Sequence, residues 1–225
     1  MSDKPKALVI GSNGTIGKAL SNELVKKYDL IKLSQENTQY TEEGLDQFRQ
    51  SFHSETVFSL IICCIGVLHD EVVQPEKNLK AIDQQKMSHY FQVNAILPML
   101  CMQYFVSLLD KHSESVYINL SAMVGSTSDN RLGGWYGYRS SKAALNSLVK
   151  TTSIEVARTN KNATIVAMHP GTTVGSLSKP FSKKIDKAKY YSPEQTAKRI
   201  LKVAKQLSPQ DSGSFLNWDG SILPW

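Results

Sequence analysis

The sequence contains few cysteines. Only 3 occur among 225 residues, namely Cys63, Cys64 and Cys101. Their number is odd, and their spacing suits neither a disulfide framework nor a metal site. We therefore expect no metal ion, and we expect buried free thiols in a reducing compartment.

Long apolar runs and charged blocks are also absent. No apolar run approaches the ~20 residues of a membrane span, and the first residues lack the apolar core of a signal peptide. The net charge of +6 comes from scattered lysines, and Phe181, Ile185 and Asp186 interrupt the densest cluster, residues 179–189. We expect a cytoplasmic protein with no membrane or nucleic-acid partner, whose basic surface favours an anionic cofactor.

Apolar strands alternate with amphipathic helices along the whole chain. The length and the 41% hydrophobic content fit one α/β domain, residues 1–225. The alternation predicts a Rossmann-like, doubly wound parallel sheet in a three-layer α/β/α arrangement. The predicted strands are 7–10, 30–33, 57–65, 116–120, 163–168 and one from 214, and the predicted helices are 16–28, 41–52, 83–109, one through 138–159, and 193–207.

A glycine-rich turn follows the first predicted strand and opens the first helix. Backbone N–H groups at a helix N-terminus can cradle a pyrophosphate only where no Cβ blocks the approach. A turn that is merely tight is the alternative interpretation. The candidate cofactor-binding residues of this turn are Gly11, Ser12, Asn13, Gly14, Thr15, Ile16 and Gly17.

The ends of the next two strands bear on the cofactor. An acidic residue at Ser34 or Gln35 would bind the ribose 2′-hydroxyl and repel a phosphate, but neither is acidic. Ser34 can donate to a phosphate, which favours NADP over NAD. No arginine stands beside it to bind that phosphate, so both cofactors remain open. At the end of the third strand, the narrow cysteine side chains would let a cofactor lie over the strand terminus, and the candidate cofactor-binding residues there are Cys64, Ile65 and Gly66.

Tyr138 and Lys142 lie four residues apart in a predicted helix and share one face. A phenol titrates near pH 10, and an ammonium ~4–5 Å away at an effective dielectric of ~20 would favour the phenolate by roughly 3–4 kcal/mol. This predicts a general acid or base at neutral pH. Tyr28 and Lys32 have the same spacing, but they span a helix-to-strand junction and should not share a face.

Other polar residues stand where a ligand would lie. Asn94, inside the 83–109 helix, is either a satisfied core amide or a functional residue, and Pro98 predicts a bend there. Ser121 follows a strand at the edge where ligands bind in open α/β sheets, although serine also forms turns. After the 163–168 strand, His169 is expected to be structural. The residues that follow it, Pro170, Gly171, Thr172 and Thr173, include two hydroxyl groups and are the candidates for binding the polar end of a cofactor.

The segment 175–192 is rich in serine and lysine, with apolar anchors at Leu177 and Phe181. Such a segment beside a site is either a lid or an ordinary surface excursion.

The order of these features resembles the short-chain dehydrogenase/reductase family along nearly the whole chain. The shared features are strand–helix alternation, a glycine-rich first turn, Asn94, Ser121, Tyr138 with Lys142, and Pro170-Gly171. Two longer stretches, 121–142 and 218–225, look like the C-factor (C-signal) subgroup. One departure is Thr15, which stands where the family's usual Gly-x-x-x-Gly-x-Gly turn has its second glycine.

The resemblance implies a role for each catalytic candidate. Tyr138 would donate a proton to a carbonyl as hydride arrives from the nicotinamide, and Ser121 would hold the substrate oxygen. Lys142 would lower the tyrosine pKa and bind the nicotinamide ribose, and Asn94 would hold a water molecule. Relatives usually dimerise through the helices that correspond to those bearing Asn94 and Tyr138, so the resemblance implies a homodimer or homotetramer.

We therefore expect an NAD(P)-dependent oxidoreductase of the carbonyl reductase type that acts on a small-molecule carbonyl or alcohol. The alternative is a cofactor-binding signalling or regulatory protein of the C-factor type, in which catalysis is incidental.

Overall fold

The computed structural model describes residues 4–180 and 190–225. Its centre is a parallel six-stranded sheet in the order β2-β1-β3-β4-β5-β8. The strands are β1 Lys6–Ile10, β2 Asp29–Leu33, β3 Leu60–Cys63, β4 Ser115–Leu120, β5 Ala163–Met168 and β8 Phe215–Leu216. A separate two-stranded sheet pairs β6 Thr172–Thr173 with β7 Tyr190–Tyr191. The strand order reverses between β1 and β3, which opens a crevice at the carboxyl ends of the strands.

Helices cover both faces of the sheet. They are α1 Thr15–Leu24, α2 Glu42–Gln50, α3 Gln84–Phe91, α4 Leu97–Phe105, α5 Tyr136–Val156 and α6 Pro193–Ala204. Thr41 caps α2 by accepting from the Gly44 N–H, and Ser192 forms a capping box with Gln195 at the start of α6. The predicted fold class, a Rossmann-like doubly wound sheet in one domain, is confirmed.

Two apolar layers explain why the central strands are continuous apolar runs. One layer packs α2, α4 and α5 on the sheet through residues such as Leu45, Phe105 and Leu145. The other packs α1 and α6 through residues such as Leu20 and Ile200. Strands covered on both faces cannot alternate apolar with polar residues. The central strand β3 is nevertheless shorter than the predicted 57–65, and β8 has only two residues.

The helix predicted over 83–109 is divided. A π-helical turn, Gln92–Ile96, separates α3 from α4, and Pro98 lies in the first turn of α4. Pro98 has no N–H to continue the backbone hydrogen bonds of this run, and π-helical turns and prolines are the usual places where a long helix departs from regular geometry. By length and composition alone, Gln84–Leu108 is the one helical run in the described residues that could cross a membrane. Here its Cys101, Met102 and Phe105 are buried in the apolar layer against the sheet, as in a core helix.

Two further predictions concern the Tyr28/Lys32 pair and the 175–192 segment. Tyr28 follows the end of α1 while Lys32 lies in β2, so this pair does not share a helix face. Part of the predicted lid, including Phe181, Ile185 and Asp186 of the lysine cluster, falls on residues 181–189, which lie outside the described residues.

Candidate active site

The glycine turn lies at the carboxyl end of β1. Gly11 has a left-handed φ of +76°, and a Cβ on Gly17 would overlap the Gly11 carbonyl oxygen. Glycine is therefore needed at both positions for α1 to approach the strand this closely. Gly14 is the N-cap of α1, and no side chain caps this helix N-terminus. A ten-residue helix that begins in this way presents backbone N–H groups to an anion, so the turn fits a dinucleotide pyrophosphate.

Not every residue of the turn is available to a ligand. Ser12 is buried, and its hydroxyl and N–H both donate to the Leu33 carbonyl oxygen, at 3.3 and 3.1 Å. Ser12 therefore ties the turn to β2 instead of presenting its side chain to a cofactor. The Thr15 side chain lies against Gly175, where an added Cβ would come within 2.8 Å of the threonine Oγ1. Thr15 thus packs against the segment that follows β6.

Two local hydrogen bonds close the end of β2. The Ser34 N–H donates to Asn37 Oδ1 at 2.8 Å, and Asn37 Nδ2 donates to the Lys32 carbonyl at 2.8 Å. Ser34 is 5% exposed, and the acidic side chain of this turn, Glu36, is exposed to solvent. The position where dinucleotide folds read the adenosine ribose is therefore neutral, with a carboxylate two residues further on.

Tyr138 and Lys142 lie on the buried face of α5, with exposures of 7% and 3%. Lys142 Nζ donates to the Leu120 carbonyl at 3.0 Å, and Ser121 is the next residue beyond β4. The predicted lysine and serine thus meet at the carboxyl end of one central strand. The structure confirms that Tyr138 and Lys142 share a helix face.

Asn94 lies in the π-helical turn, and its side chain is close to Gly66, as is that of Lys142. A Cβ on Gly66 would lie 3.1 Å from Lys142 Nζ and 3.2 Å from Asn94 Oδ1. Asn94 Oδ1 accepts from the Val67 N–H at 2.8 Å, while Nδ2 donates to the Val67 carbonyl and to Ser141 Oγ. Its amide is therefore satisfied within the protein, and it secures the chain that leaves β3 against α5.

The electrostatics of the site differ from the sequence-based expectation. Burial raises the pKa of Tyr138 well above its ordinary value of 10. Burial also lowers the pKa of Lys142 to about 8, an effect that the neighbouring Cys63 and Cys64 partly oppose. The expected lowering of the tyrosine pKa by Lys142 is not seen, because desolvation dominates at the phenol and the ammonium is directed at the Leu120 carbonyl.

Glu76 is a site residue that the sequence did not reveal. Its side chain is buried, and both carboxylate oxygens accept from the Gly137 N–H, at 3.1 and 3.3 Å. Its carbonyl accepts from the Trp135 N–H at 2.6 Å. Trp135 is the N-cap of α5, has a left-handed φ of 53° and makes no side-chain cap. Glu76 therefore caps the helix that carries Tyr138, and no local signal could have predicted a cap from 61 residues away.

Asn146 was also missed. Ser121 Oγ donates to Asn146 Oδ1 at 2.6 Å, and Asn146 lies one turn after Lys142 on α5. The four-residue spacing from Lys142 was a usable signal, because it places Asn146 on the same face as the tyrosine and the lysine.

The surroundings of Tyr138 are apolar. Its ring packs edge-on against Tyr90 and Trp135, at centroid distances of 6.4 and 6.2 Å. The same cluster contains Val67, Leu68, Val73 and Ala122. A separate cleft of about 560 Å³ lies between α1 and α6 at the amino ends of the strands, opposite this chemistry.

The end of β5 completes the edge of the crevice. Gly171 has a φ of +80°, and an added Cβ would lie 3.2 Å from the Trp218 ring. The Thr173 hydroxyl is hydrogen-bonded to the Thr196 hydroxyl of α6 at 2.8 Å. His169 is partly buried, and the desolvation of its ring lowers its pKa to about 4, so it is neutral at pH 7. Of the predicted residues here, Pro170 is buried, whereas Thr172 is partly exposed.

A doubly wound parallel sheet, an uncapped glycine-rich helix start, and a serine, tyrosine and lysine at the carboxyl ends of its central strands together define a nicotinamide-dependent oxidoreductase. Residues 59–186 match the family described as short chain dehydrogenase. This match covers more than half of the 225 residues, so the chain belongs to the short-chain dehydrogenase family.

Individual relatives agree with this assignment. The chain is 27% identical to an uncharacterized oxidoreductase of Schizosaccharomyces pombe, in an alignment 248 positions long that covers 97% of this chain and 96% of that protein. It is 28% identical over 144 residues to the C-signal protein of Myxococcus xanthus, covering 64% and 81%. An NADPH-bound carbonyl reductase from chicken fatty liver has the same fold, with a TM-score of 0.82, 22% identity and coverage of 99% and 94%.

Proposed function

We propose that this protein interconverts a small-molecule carbonyl and the corresponding alcohol with a nicotinamide cofactor, and that Tyr138 is the acid or base. The observation that carries this proposal is the burial of Tyr138 and Lys142 on one face of α5, beside Ser121 at the end of β4. The family assignment supports the same reaction class.

When bound, NAD(P)H supplies the hydride for the carbonyl carbon. The chain's own residues do the rest. Tyr138 donates its phenolic proton to the carbonyl oxygen, and Ser121 holds that oxygen with its hydroxyl. Lys142, whose ammonium is held by the Leu120 carbonyl, binds the nicotinamide ribose. Asn94 holds the chain from Gly66 to Val67 against α5, which keeps Lys142 in place.

The proposed cofactor site runs along the carboxyl ends of the strands. The start of α1 binds the pyrophosphate through Gly14, Thr15, Ile16 and Gly17, with Gly11 and Asn13 shaping the turn. At the adenine end lies Ser34, and Cys64, Ile65 and Gly66 form the floor of the crevice. The nicotinamide end is closed by Pro170, Gly171, Thr172 and Thr173. Within this set, Ser12 contributes by holding the turn.

NADP(H) is the favoured cofactor of this proposal. No carboxylate occupies Ser34 or Gln35, so the 2′-phosphate would meet no direct repulsion there. The chicken carbonyl reductase with the same fold binds NADPH. The exposed carboxylate of Glu36 in the same turn argues for testing NAD(H) alongside it.

The substrate is proposed to be an apolar ketone or aldehyde. Tyr138 packs within a cluster of aliphatic and aromatic side chains that includes Val67, Leu68 and Tyr90. Such walls bind an apolar group by removing it from water and offer few partners to a polar one.

A second candidate function is that of a cofactor-binding signalling or regulatory protein, as the similarity to the M. xanthus C-signal suggests. In this case the nucleotide-bound fold would be the active species, and turnover would be incidental. Replacing Tyr138 by Phe separates the two, because biological function would survive the loss of reductase activity only under the second proposal.

We further propose a cytoplasmic homodimer or homotetramer without a nucleic-acid or membrane partner. Ile96, two residues after Asn94, and Ile154 of α5 are 45% and 52% exposed, which leaves apolar surface for a second copy. Light scattering of the purified protein measures the mass, and cell fractionation gives the compartment. A strict monomer, or protein recovered with membranes, would contradict this part.

The central experiment is a fluorescence titration with NADPH and with NADH, followed by a panel of carbonyl probes. Suitable probes are 9,10-phenanthrenequinone and 4-nitrobenzaldehyde, whose reduction is monitored by the loss of absorbance of the reduced nucleotide. We expect tighter binding of NADPH and measurable turnover. Binding of neither nucleotide would refute the proposed function.

A further inference from the structure

The hydroxyl of Ser121 has a defined partner inside the protein. It donates to Asn146 Oδ1 at 2.6 Å, a short and well-formed hydrogen bond. Asn146 is 2% exposed and follows Tyr138 and Lys142 at successive four-residue intervals on the buried face of α5. One stripe of a single helix therefore carries the phenol, the ammonium and the amide that contacts the serine.

This hydrogen bond has the wrong direction for the proposed reaction. The Ser121 hydrogen points at Asn146, so a substrate oxygen would meet a lone pair on Oγ. Stabilising a developing alkoxide requires the opposite arrangement, with a donor aimed at that oxygen. Ser121 can turn its hydrogen to the substrate at low cost only if another group then donates to Oγ.

The Asn146 amide contains that donor. Its Nδ2 is buried and has no hydrogen-bond partner among the described residues. Unpartnered buried N–H groups are rarer in proteins than under-satisfied carbonyl oxygens. A rotation of the amide by about 180° exchanges its oxygen and nitrogen with little change in shape. The nitrogen then donates to Ser121 Oγ, and the oxygen takes the unpartnered position.

We propose that Asn146 is a positioning residue that donates its side-chain N–H to Ser121 Oγ when substrate is bound, so that the serine hydroxyl is directed at the substrate oxygen. The amide thus has two orientations, one that accepts from Ser121 and one that donates to it. This inference rests on the proposed function, because it concerns the orientation of a hydroxyl that acts on a carbonyl substrate.

The test compares four variants with 9,10-phenanthrenequinone and NADPH: Asn146→Ala, Asn146→Asp, Ser121→Ala and the double variant Ser121→Ala with Asn146→Ala. The matched control is Asn119→Ala. Asn119 is also a buried asparagine, but its Nδ2 donates to Met102 Sδ at 3.2 Å and not to Ser121.

Asn146→Ala is expected to lower kcat/KM about tenfold, the range that one hydrogen bond accounts for, while the Kd for NADPH is unchanged. In the Ser121→Ala background the same change should cost nothing more, because Asn146 acts through the serine hydroxyl. A loss no greater than that of Asn119→Ala, or losses that multiply in the double variant, would overturn the inference.

Asn146→Asp separates donation from shape. An ionised aspartate has the same outline and accepts from Ser121, but it has no N–H to donate. We expect it to lose at least as much kcat/KM as Asn146→Ala, whereas wild-type activity would show that only acceptance and shape matter. This variant also keeps the test open if Asn146→Ala does not fold. If the wild type reduces no carbonyl with either nucleotide, the proposed function and the inference fail together, and full activity in the variants overturns the inference alone.

Discussion

At the scale of single residues, the site consists of groups whose ordinary solution chemistry is changed by burial. The pKa of Tyr138 is raised and that of Lys142 is lowered to about 8, both because water is excluded. A tyrosine with a raised pKa is a competent proton donor at neutral pH, since it holds its proton until a stronger base, the developing alkoxide, is beside it. At pH 7 Lys142 remains protonated, and it loses its charge as the pH rises through about 8.

Replacing Tyr138 by Phe should remove the proton donor and leave the packing of the ring. We expect kcat/KM for carbonyl reduction to fall by at least ~100-fold, within the range attributed to general acid catalysis, with NADPH affinity nearly unchanged. Steady-state kinetics and fluorescence titration measure the two quantities. Tyr136→Phe on the same helix is the control, and equal losses in both variants would argue against Tyr138 as the acid.

Ser34→Asp should reverse the cofactor preference. A carboxylate at the end of β2 would repel the 2′-phosphate of NADPH and accept a hydrogen bond from the 2′-hydroxyl of NADH. We expect the Kd for NADPH to rise by roughly 10–100-fold, equivalent to about 1.4–2.8 kcal/mol, while the Kd for NADH stays the same or falls. The neutral isostere Ser34→Asn is the control, and an unchanged ratio of the two Kd values in Ser34→Asp would place the adenosine ribose elsewhere.

At the scale of elements, the start of α5 is held in an unusual way. Gly133, Gly134 and Trp135 all have positive φ, and Trp135 supplies no side-chain cap. The buried carboxylate of Glu76 takes the place of the cap, and its charge is also favourable at the positive end of the helix dipole. The loop after β3 thereby fixes the turn of helix that carries Tyr138.

Glu76→Ala should therefore destabilise the protein and loosen the first turn of α5. We expect a loss of about 1–2 kcal/mol in the free energy of unfolding, the usual cost of removing a helix cap. Hydrogen exchange of a peptide that contains Gly137 should become faster. The exposed Glu71 of the same loop provides the control variant Glu71→Ala, and equal protection in the two variants would show that Glu76 does not hold the helix start.

At the scale of the whole molecule, two apolar layers on a six-stranded parallel sheet leave the crevice at the carboxyl ends as the place where polar groups converge. The same close packing buries groups that would titrate in water. Burial lowers the pKa of His169 from 6.5 to about 4, so the folded protein resists protonation there.

Global stability should consequently fall in mild acid. Between about pH 6.5 and about pH 4 the unfolded chain binds a proton at His169 that the folded chain does not, so the free energy of unfolding decreases as the pH falls. The contribution approaches about 3 kcal/mol by pH 4. Denaturant unfolding of His169→Gln across this range should show a flatter pH profile. A variant of the exposed His112 should keep the wild-type slope, and identical profiles for all three proteins would refute the assignment.

Local patterns in the sequence predicted much of the fold and part of the site. Apolar runs predicted β1, β4 and β5, and the 163–168 strand agrees with β5 at both ends. Three- and four-residue periodicity placed Tyr138 and Lys142 on one helix face, because that geometry depends only on the rise and turn of a helix. The ends of β3 and β8 were not predicted correctly. These strands stop where a neighbouring strand no longer pairs with them, and an apolar run in the sequence does not show where pairing ends.

The sequence by itself determined the order of strands and helices, the glycine turn and the spacing of the phenol and the ammonium, because each is encoded within a few consecutive residues. Only the tertiary structure decided that Glu76 caps α5, that Ser121 contacts Asn146 and that the pKa of Tyr138 rises. These depend on which distant segments meet and how much water they exclude, and hydrogen bonds across 61 and 25 residues leave no periodic mark in a sequence.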